Sequence, residues 1–468
     1  MKTSSLTRKA GFWKAYKTEY KNLWRLGLPV LITQVGIIVV NFADTMMVGA
    51  YGTDELAAAA FVNSLFMIAT VMQIGFASGM TPLIGALYSR KENTEVGITL
   101  RAGLQINVIV SLCFTAIMGT LYFFLDRFGQ PEELLPLIRS YYLIVLATLL
   151  PMAIFNCCQQ TANGTTDTAT PMWMILCANA INILGNYTLI YGHFGAPQLG
   201  LVGAGLSTLT ARYLAMAGIL LFLLFSKRYS PYIKGLREGS AKSGSVRMKV
   251  WTTSYPVMIQ SGVECFLWSF GAIVSGWFGK IQLASYQVVN TIAQLGFMTF
   301  MSFGVATSIR VANYTGLRDI NGMRRITSAG LHLNLLLATI ASLVFLIGGR
   351  HLIHAFTPDP EVIAAALALI VPLILYQYGD AIQLTYANAL RGTSHVKPLL
   401  WISIVSYIIV GIPLLLFLAK VLDWHNIGVY YSFSGALIVA SVLLIRAFGA
   451  TVRKKEAEFA THFSRDMN

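Results

Sequence analysis

Three carboxylates, Asp44, Glu264 and Asp380, each interrupt a long apolar run. An acid at bilayer depth costs about 2.5–3.5 kcal/mol on insertion scales, so such residues face a cavity or a partner and commonly handle ions or protons. Asp44 lies in the stretch Asn41–Gly49. An interfacial acid that reaches outward is the plain alternative, but an Asp side chain is too short to snorkel as Lys and Arg do. A fifth apolar run carries Asn182 and Asn186, four apart on one helical face, with Asn179 three residues earlier on that face. Taken alone these amides read as interhelical hydrogen-bond glue; beside a carboxylate their oxygens also suit a hard cation or a shared proton. Thr208, in the next run, adds a hydroxyl.

Glu264 has Gln260 and Trp268 one turn to either side, and Asp380 has Tyr376 one turn before it and Gln383 three residues after. Two acids in one half of the chain, each with polar and aromatic neighbours on its own face, read as a cation site. The structural alternatives are a protonated acid in a helix contact for Glu264 and a packing aromatic for Tyr376. Trp268, Tyr376 and Tyr386 offer cation–π surfaces to a flat cation, and Gln34, Gln260, Trp268, Gln383 and Tyr386 are the candidate substrate-facing residues. Arg212 is the one basic residue well inside an apolar run, and no partner for it is evident.

The elements that must hold these groups are membrane helices. The chain has 468 residues, 56% hydrophobic and only 12% charged, with a mean hydropathy of +0.64; soluble proteins carry roughly a quarter charged residues. Runs of about 20 apolar residues predict twelve spans, near 24–48, 57–83, 98–124, 138–162, 172–192, 201–225, 251–277, 283–309, 327–348, 363–389, 398–420 and 428–449. With the N-terminus inside, the cytoplasmic segments hold 28 of the 34 Lys and Arg, among them Lys9, Lys14, Arg90, Lys242, Arg325, Arg391 and Lys454, and the outer loops hold five. That bias supports the span count and is expected to place both termini in the cytoplasm. The net charge of +14 is therefore a topology signal and not a nucleic-acid footprint. The start, polar and basic through Lys21, is unlike a cleaved signal peptide, so the first span itself is expected to drive insertion. Five cysteines, all in apolar segments, read as small core residues with no metal-ligand spacing.

The chain repeats itself. Residues 29–107 align with 256–334 without a gap at an offset of 227, with 14 of 79 positions identical, including Pro29/Pro256 and Asn63/Asn290. The expected organisation is an N-lobe of spans 1–6 (1–225), a basic linker (226–250), a C-lobe of spans 7–12 (251–449) and a tail (450–468). Six spans is an even number, so the two bundles should be related by a pseudo-two-fold along the membrane normal, with alternating access by rocking of one against the other. Pro29 and Pro256 favour kinks in matched places, and Gly75/Gly79 and Gly200/Gly203/Gly205 read as close-packing positions.

With these residues in view, the chain resembles the multidrug and toxic compound extrusion (MATE) family, most closely its NorM-type bacterial branch. The resemblance rests on Pro29 and Gln34 with Phe42–Gly49, on Asn182–Asn186 with Tyr191–Pro197, on Gly262–Glu264, and on Asp380–Gln383 with Leu390–Gly392. It implies an antiporter that expels cationic, often aromatic, compounds in exchange for Na⁺ or H⁺, acting as a monomer and without a cofactor. It also implies that Asp44, Asn182, Asn186 and Thr208 form an N-lobe cation or proton cluster, and that Glu264, Asp380 and Tyr376 form a C-lobe Na⁺ site. Asn186 stands where some relatives carry Asp, which lowers the charge of the N-lobe cluster. Two rivals exist. A lipid-linked oligosaccharide flippase would present basic groups to an anionic cargo, and only Arg212 favours it. A membrane-embedded enzyme needs a nucleophile, base or metal cluster, and none is visible; no P-loop motif supports ATP-driven transport.

Overall fold

The computed structural model describes residues 2–237 and 243–466. Residues 238–242 of the expected linker, Lys242 among them, and the last two of the tail lie outside the described residues. No strand occurs among the described residues. Among the described residues eleven helices are long and apolar enough to cross a membrane, and a bent pair makes a twelfth. We number them α1 (Tyr16–Tyr51), α2 (Thr53–Ser89), α3 (Asn93–Tyr122), α4 (Glu132–Gly164), α5 (Ala169–Tyr191), α6 (Gly200–Phe225), α7 (Gly244–Trp277), α8 (Lys280–Gly316), α9 (Ile320–His354), α10 (Pro360–Ala368 with Ile370–Gly392, bent by 47°), α11 (Lys397–Val421) and α12 (His425–Ala460). All twelve coincide with the spans expected from the sequence. Large apolar side chains such as Phe225 and Ile347 are four-fifths exposed on these helices, as befits surfaces that face lipid.

Proline chemistry explains the irregular spans. A proline lacks the N–H that would bond the carbonyl four residues earlier, and its ring crowds that carbonyl. The two segments of α4 meet at Thr148, three residues before Pro151, and those of α10 meet at Leu369, three before Pro372. In α11, Pro413 follows a π-helical stretch, Ile404–Gly411. Such widened turns recur at functional sites, and this one carries Tyr407.

The chain forms two compact units. The N-unit is Ile32–Met258; the C-unit holds the chain up to Leu31 and from Ile259 onward. The chain thus passes between units inside α1 and inside α7, after Leu31 and after Met258, positions that are 227 apart and follow Pro29 and Pro256. Within the C-unit, Leu23 and Leu26 of α1 are buried in one cluster with Phe303, Ile309 and Met323. Glu19, 1% exposed, accepts from the Tyr314 hydroxyl at 2.5 Å and from Arg325 Nε and Nη2 at 3.2 and 3.1 Å. Within the N-unit, Val250 of α7 packs with Met80, Cys157 and Cys158, and Trp251 lies against Phe76. Asp167 caps α5 through Thr170 and accepts from the Tyr229 hydroxyl at 2.9 Å.

Candidate functional site

The N-unit brings Asp44 against α5. Asn186 Nδ2 donates to Asp44 Oδ1. The Asn182 amide, turned to satisfy both of its ends, donates to the same oxygen at 2.8 Å and accepts from the Thr208 hydroxyl at 3.1 Å. The α5–α6 contact that makes this possible is a glycine contact. A Cβ at Gly203 would lie 2.4 Å from the Leu189 carbonyl oxygen, and one at Gly185 would lie 2.4 Å from Ser207 Oγ, so only glycine lets the two backbones approach. Ser207 then donates to the Asn182 carbonyl at 2.7 Å.

Asn179 does not join the cluster. It lies over Gly36, and its Nδ2 is buried with no hydrogen-bond partner among the described residues. Gln34 is half-buried on α1, ten residues and about 15 Å of helix rise from Asp44. Arg212 has a partner after all: Nη1 donates to Thr148 Oγ at 2.6 Å, at the break in α4. One turn beyond Thr208 on α6, it lies within electrostatic reach of Asp44 and Tyr141.

The C-unit builds a different pocket. Asp380 is wholly buried, and neither carboxylate oxygen has a hydrogen-bond partner among the described residues. Glu264 on α7 acts on it electrostatically, and it acts in turn on Tyr376 one turn before it on α10. Gln383 is buried one turn on, its Oε1 also unpartnered. Tyr376 sits edge-on to Trp268, ring centres 5.0 Å apart, and Trp268 packs in turn on Phe433 at 4.4 Å. Trp268 is therefore held by its neighbours. Tyr386 lies apart from the acids, against Phe448 and beside a shallow groove lined by Arg324, Ile445 and Arg453. A separate cavity of about 490 Å³ opens beside the α10 bend, lined by Gln282, Leu369, Asn426 and Tyr431, away from both acids.

Three groups in this pocket escape a reading of the sequence. Tyr407, from the π stretch of α11, is buried beside Gln383, and Tyr430, from α12, is buried with an unpartnered hydroxyl. Arg391 corrects an expectation: counted among cytoplasmic loop charges, it is only 7% exposed and donates from Nη2 to Gln260 Oε1 at 3.1 Å. Gln260 is thus a partner of an arginine. Among the described residues no three His, Cys, Asp or Glu side chains cluster as a transition-metal site would require. What converges at Asp380 is carboxylate, amide and phenol oxygen, the donor set of a hard cation.

A polytopic helical protein with two units, each holding an acid-centred cluster of polar side chains within its spans, has the organisation of a membrane transporter. The chain belongs to the MatE family, whose family model matches residues 29–188 and 256–417, segments that begin 227 residues apart. It is 27% identical over 435 residues to "Multidrug resistance protein NorM" of Aliivibrio fischeri, covering 92% of this chain and 94% of that one. It is 26% identical over 399 residues to the protein of the same name from Vibrio cholerae, covering 85% and 87%. Among solved structures, the fold is similar to that of the eukaryotic MATE transporter AtDTX14, with a TM-score of 0.84, 18% identity and coverage of 95% and 99%. A Vibrio cholerae MATE transporter gives a TM-score of 0.82 at 17% identity, covering 94% and 98%.

Proposed function

We propose that this protein is a multidrug efflux antiporter that expels cationic, often aromatic, compounds in exchange for Na⁺ or H⁺ by alternating access. The observation that carries the reading is Asp380: a wholly buried carboxylate with two unpartnered oxygens among phenol and amide oxygens. A buried charge left without a partner is costly, so the pocket is built to receive a cation or proton. The names of the NorM relatives, multidrug resistance proteins, support drugs as the cargo, and the intramembrane acids support a cationic one. Glu264, Asp380 and Tyr376 are the coupling-ion residues of the C-unit, here a transported ion and not a resident cofactor. In the N-unit, Asp44 with Asn182, Asn186 and Thr208 exchanges a proton or cation, and the guanidinium of Arg212 in its field favours the proton. Arg212, the one residue that favours the flippase rival, donates to Thr148 and lies in the field of Asp44, which supports the cationic-cargo reading. The protein works as a monomer in a bacterial inner membrane with both termini in the cytoplasm.

The energetics suffice. A potential of 100 mV supplies about 2.3 kcal/mol per charge, and at about 1.36 kcal/mol per tenfold one ion sustains a gradient of roughly fifty-fold. The test is uptake of a fluorescent organic cation into everted vesicles under an imposed Na⁺ or pH gradient. Uptake should follow one or both gradients and fall in Asp44→Asn, Glu264→Gln and Asp380→Asn. Cation movement indifferent to both gradients overturns antiport; three wild-type variants overturn the site assignment.

A further inference from the structure

We propose that Arg391 is an internal counter-cation dedicated to Glu264, leaving the C-unit pocket with one net negative charge, at Asp380, and room for one monovalent cation. The role of that charge in transport rests on the antiport reading; the pairing itself does not. The argument begins with position. Arg391 lies in the last turn of α10 and is buried, and its Nη2 is fixed to Gln260 Oε1 at 3.1 Å. Gln260 is one turn before Glu264 on the same face of α7, so the guanidinium lies beside the stretch of α7 that carries the acid. Asp380 is eleven residues before Arg391 on α10, about 16 Å of helix rise away. Glu264 therefore stands between the two. The electrostatic partners follow that order: Arg391 acts on Glu264 and Tyr407, and Asp380 acts on Glu264.

The chemistry follows. A guanidinium stays charged in any protein environment. Its Nε is buried with no hydrogen-bond partner among the described residues, so the group needs a nearby anion. Glu264 supplies it through its field and not by contact, since no ion pair among the described residues joins the two groups. With both acids ionised, two carboxylates and one guanidinium leave one negative charge, and Asp380 is the acid farther from the guanidinium. A monovalent cation neutralises the pocket; a divalent ion would leave it positive.

A double-mutant cycle tests the pairing, read as the thermal unfolding midpoint in detergent and as the Na⁺ concentration for half-maximal efflux. Arg391→Gln should lower the midpoint and cut ion-driven efflux by about tenfold or more. Combining it with Glu264→Gln should restore both readouts to within about twofold of Glu264→Gln alone, because the stranded acid is gone. Combining it with Asp380→Asn should restore nothing, and Arg391→Lys should keep the wild-type Na⁺ dependence. Additive losses in Glu264→Gln/Arg391→Gln, or recovery by Asp380→Asn instead, overturn the assignment. Where Arg391→Gln does not fold, a higher folded yield of Glu264→Gln/Arg391→Gln supports the pairing, and an equal yield overturns it. NaCl should raise the wild-type midpoint more than CaCl₂ at equal ionic strength; an equal or larger Ca²⁺ effect overturns the monovalent claim. Melting needs no transport, so a wild type that ignores Na⁺ and pH gradients would defeat the antiport reading while the cycle still decides the pair.

Discussion

Asp44 and Asp380 are both intramembrane acids, yet their oxygens live differently. Asp44 accepts from two asparagine amides; Asp380 accepts from nothing among the described residues. An unpartnered buried polar group costs about 1–3 kcal/mol, a cost at Asp380 that the coupling ion of the proposed function would relieve. Asp380→Asn should therefore melt above wild type in Na⁺-free buffer and lose any Na⁺-dependent rise in melting temperature. A variant that melts lower, or still responds to Na⁺, would show that Asp380 is structural. Tyr407→Phe removes only a hydroxyl and should raise the Na⁺ concentration for half-maximal efflux by about three- to tenfold with little change in melting; an unchanged Na⁺ dependence removes Tyr407 from the site. The acids were legible in the sequence because a charge in an apolar run is an energetic anomaly. Tyr407 and Tyr430 were not, because tyrosine is unremarkable in such a run. Arg391 was hidden for a different reason: near a span end, six residues before Lys397, a positive charge is what topology leads one to expect.

At the scale of elements, the pocket depends on helices that are irregular in particular places. Pro413 breaks the regular ladder of α11, and the widened turns before it carry Tyr407. Pro413→Ala would let the stretch relax toward an α-helix, and each residue of register lost turns a side chain by about 100°. It should weaken the Na⁺ response as Tyr407→Phe does while leaving melting equal or higher; a lower melting temperature with an intact Na⁺ response would refute this role of the π stretch. In the N-unit the close contact of α5 and α6 is the corresponding device. Gly203→Val places a side chain against the Leu189 carbonyl, so the helices must part and Thr208 must leave Asn182. Overpacking of this kind costs about 1–3 kcal/mol, and a drop in melting with impaired efflux is expected; wild-type behaviour would mean the contact is slack. The spans themselves were plain in the sequence, because length and hydropathy define them. Which proline bends a helix and which widens its turns was not, since both effects begin with the same missing hydrogen bond.

At the scale of the whole molecule, the offset of 227 governs more than sequence identity. The family match starts at residues 29 and 256, and the chain leaves one unit for the other after Leu31 and after Met258. The repeat was legible from the sequence alone. The exchange was not, because hydropathy says where a helix crosses a membrane but not which bundle holds each of its ends. Its consequence is that the start of the chain is folded into the C-unit, where Glu19 is buried against Tyr314 and Arg325 and Leu23 and Leu26 enter the core, while the start of α7 is packed within the N-unit. A cut in the linker would leave two fragments, each with a helix end built into the other's unit. A protease site placed among residues 238–242 should therefore yield, after cleavage, two chains that still co-purify in mild detergent. Glu19→Ala should weaken that association, because it strands Arg325 and removes the acceptor of Tyr314; a buried pair broken on one side costs up to about 3–5 kcal/mol, less here because Arg325 is partly exposed. Fragments that separate at once in the unmutated protein would show that the exchanged ends contribute little to holding the chain together, and equal co-purification with and without Glu19 would show that the hydrophobic contacts of Leu23 and Leu26 suffice.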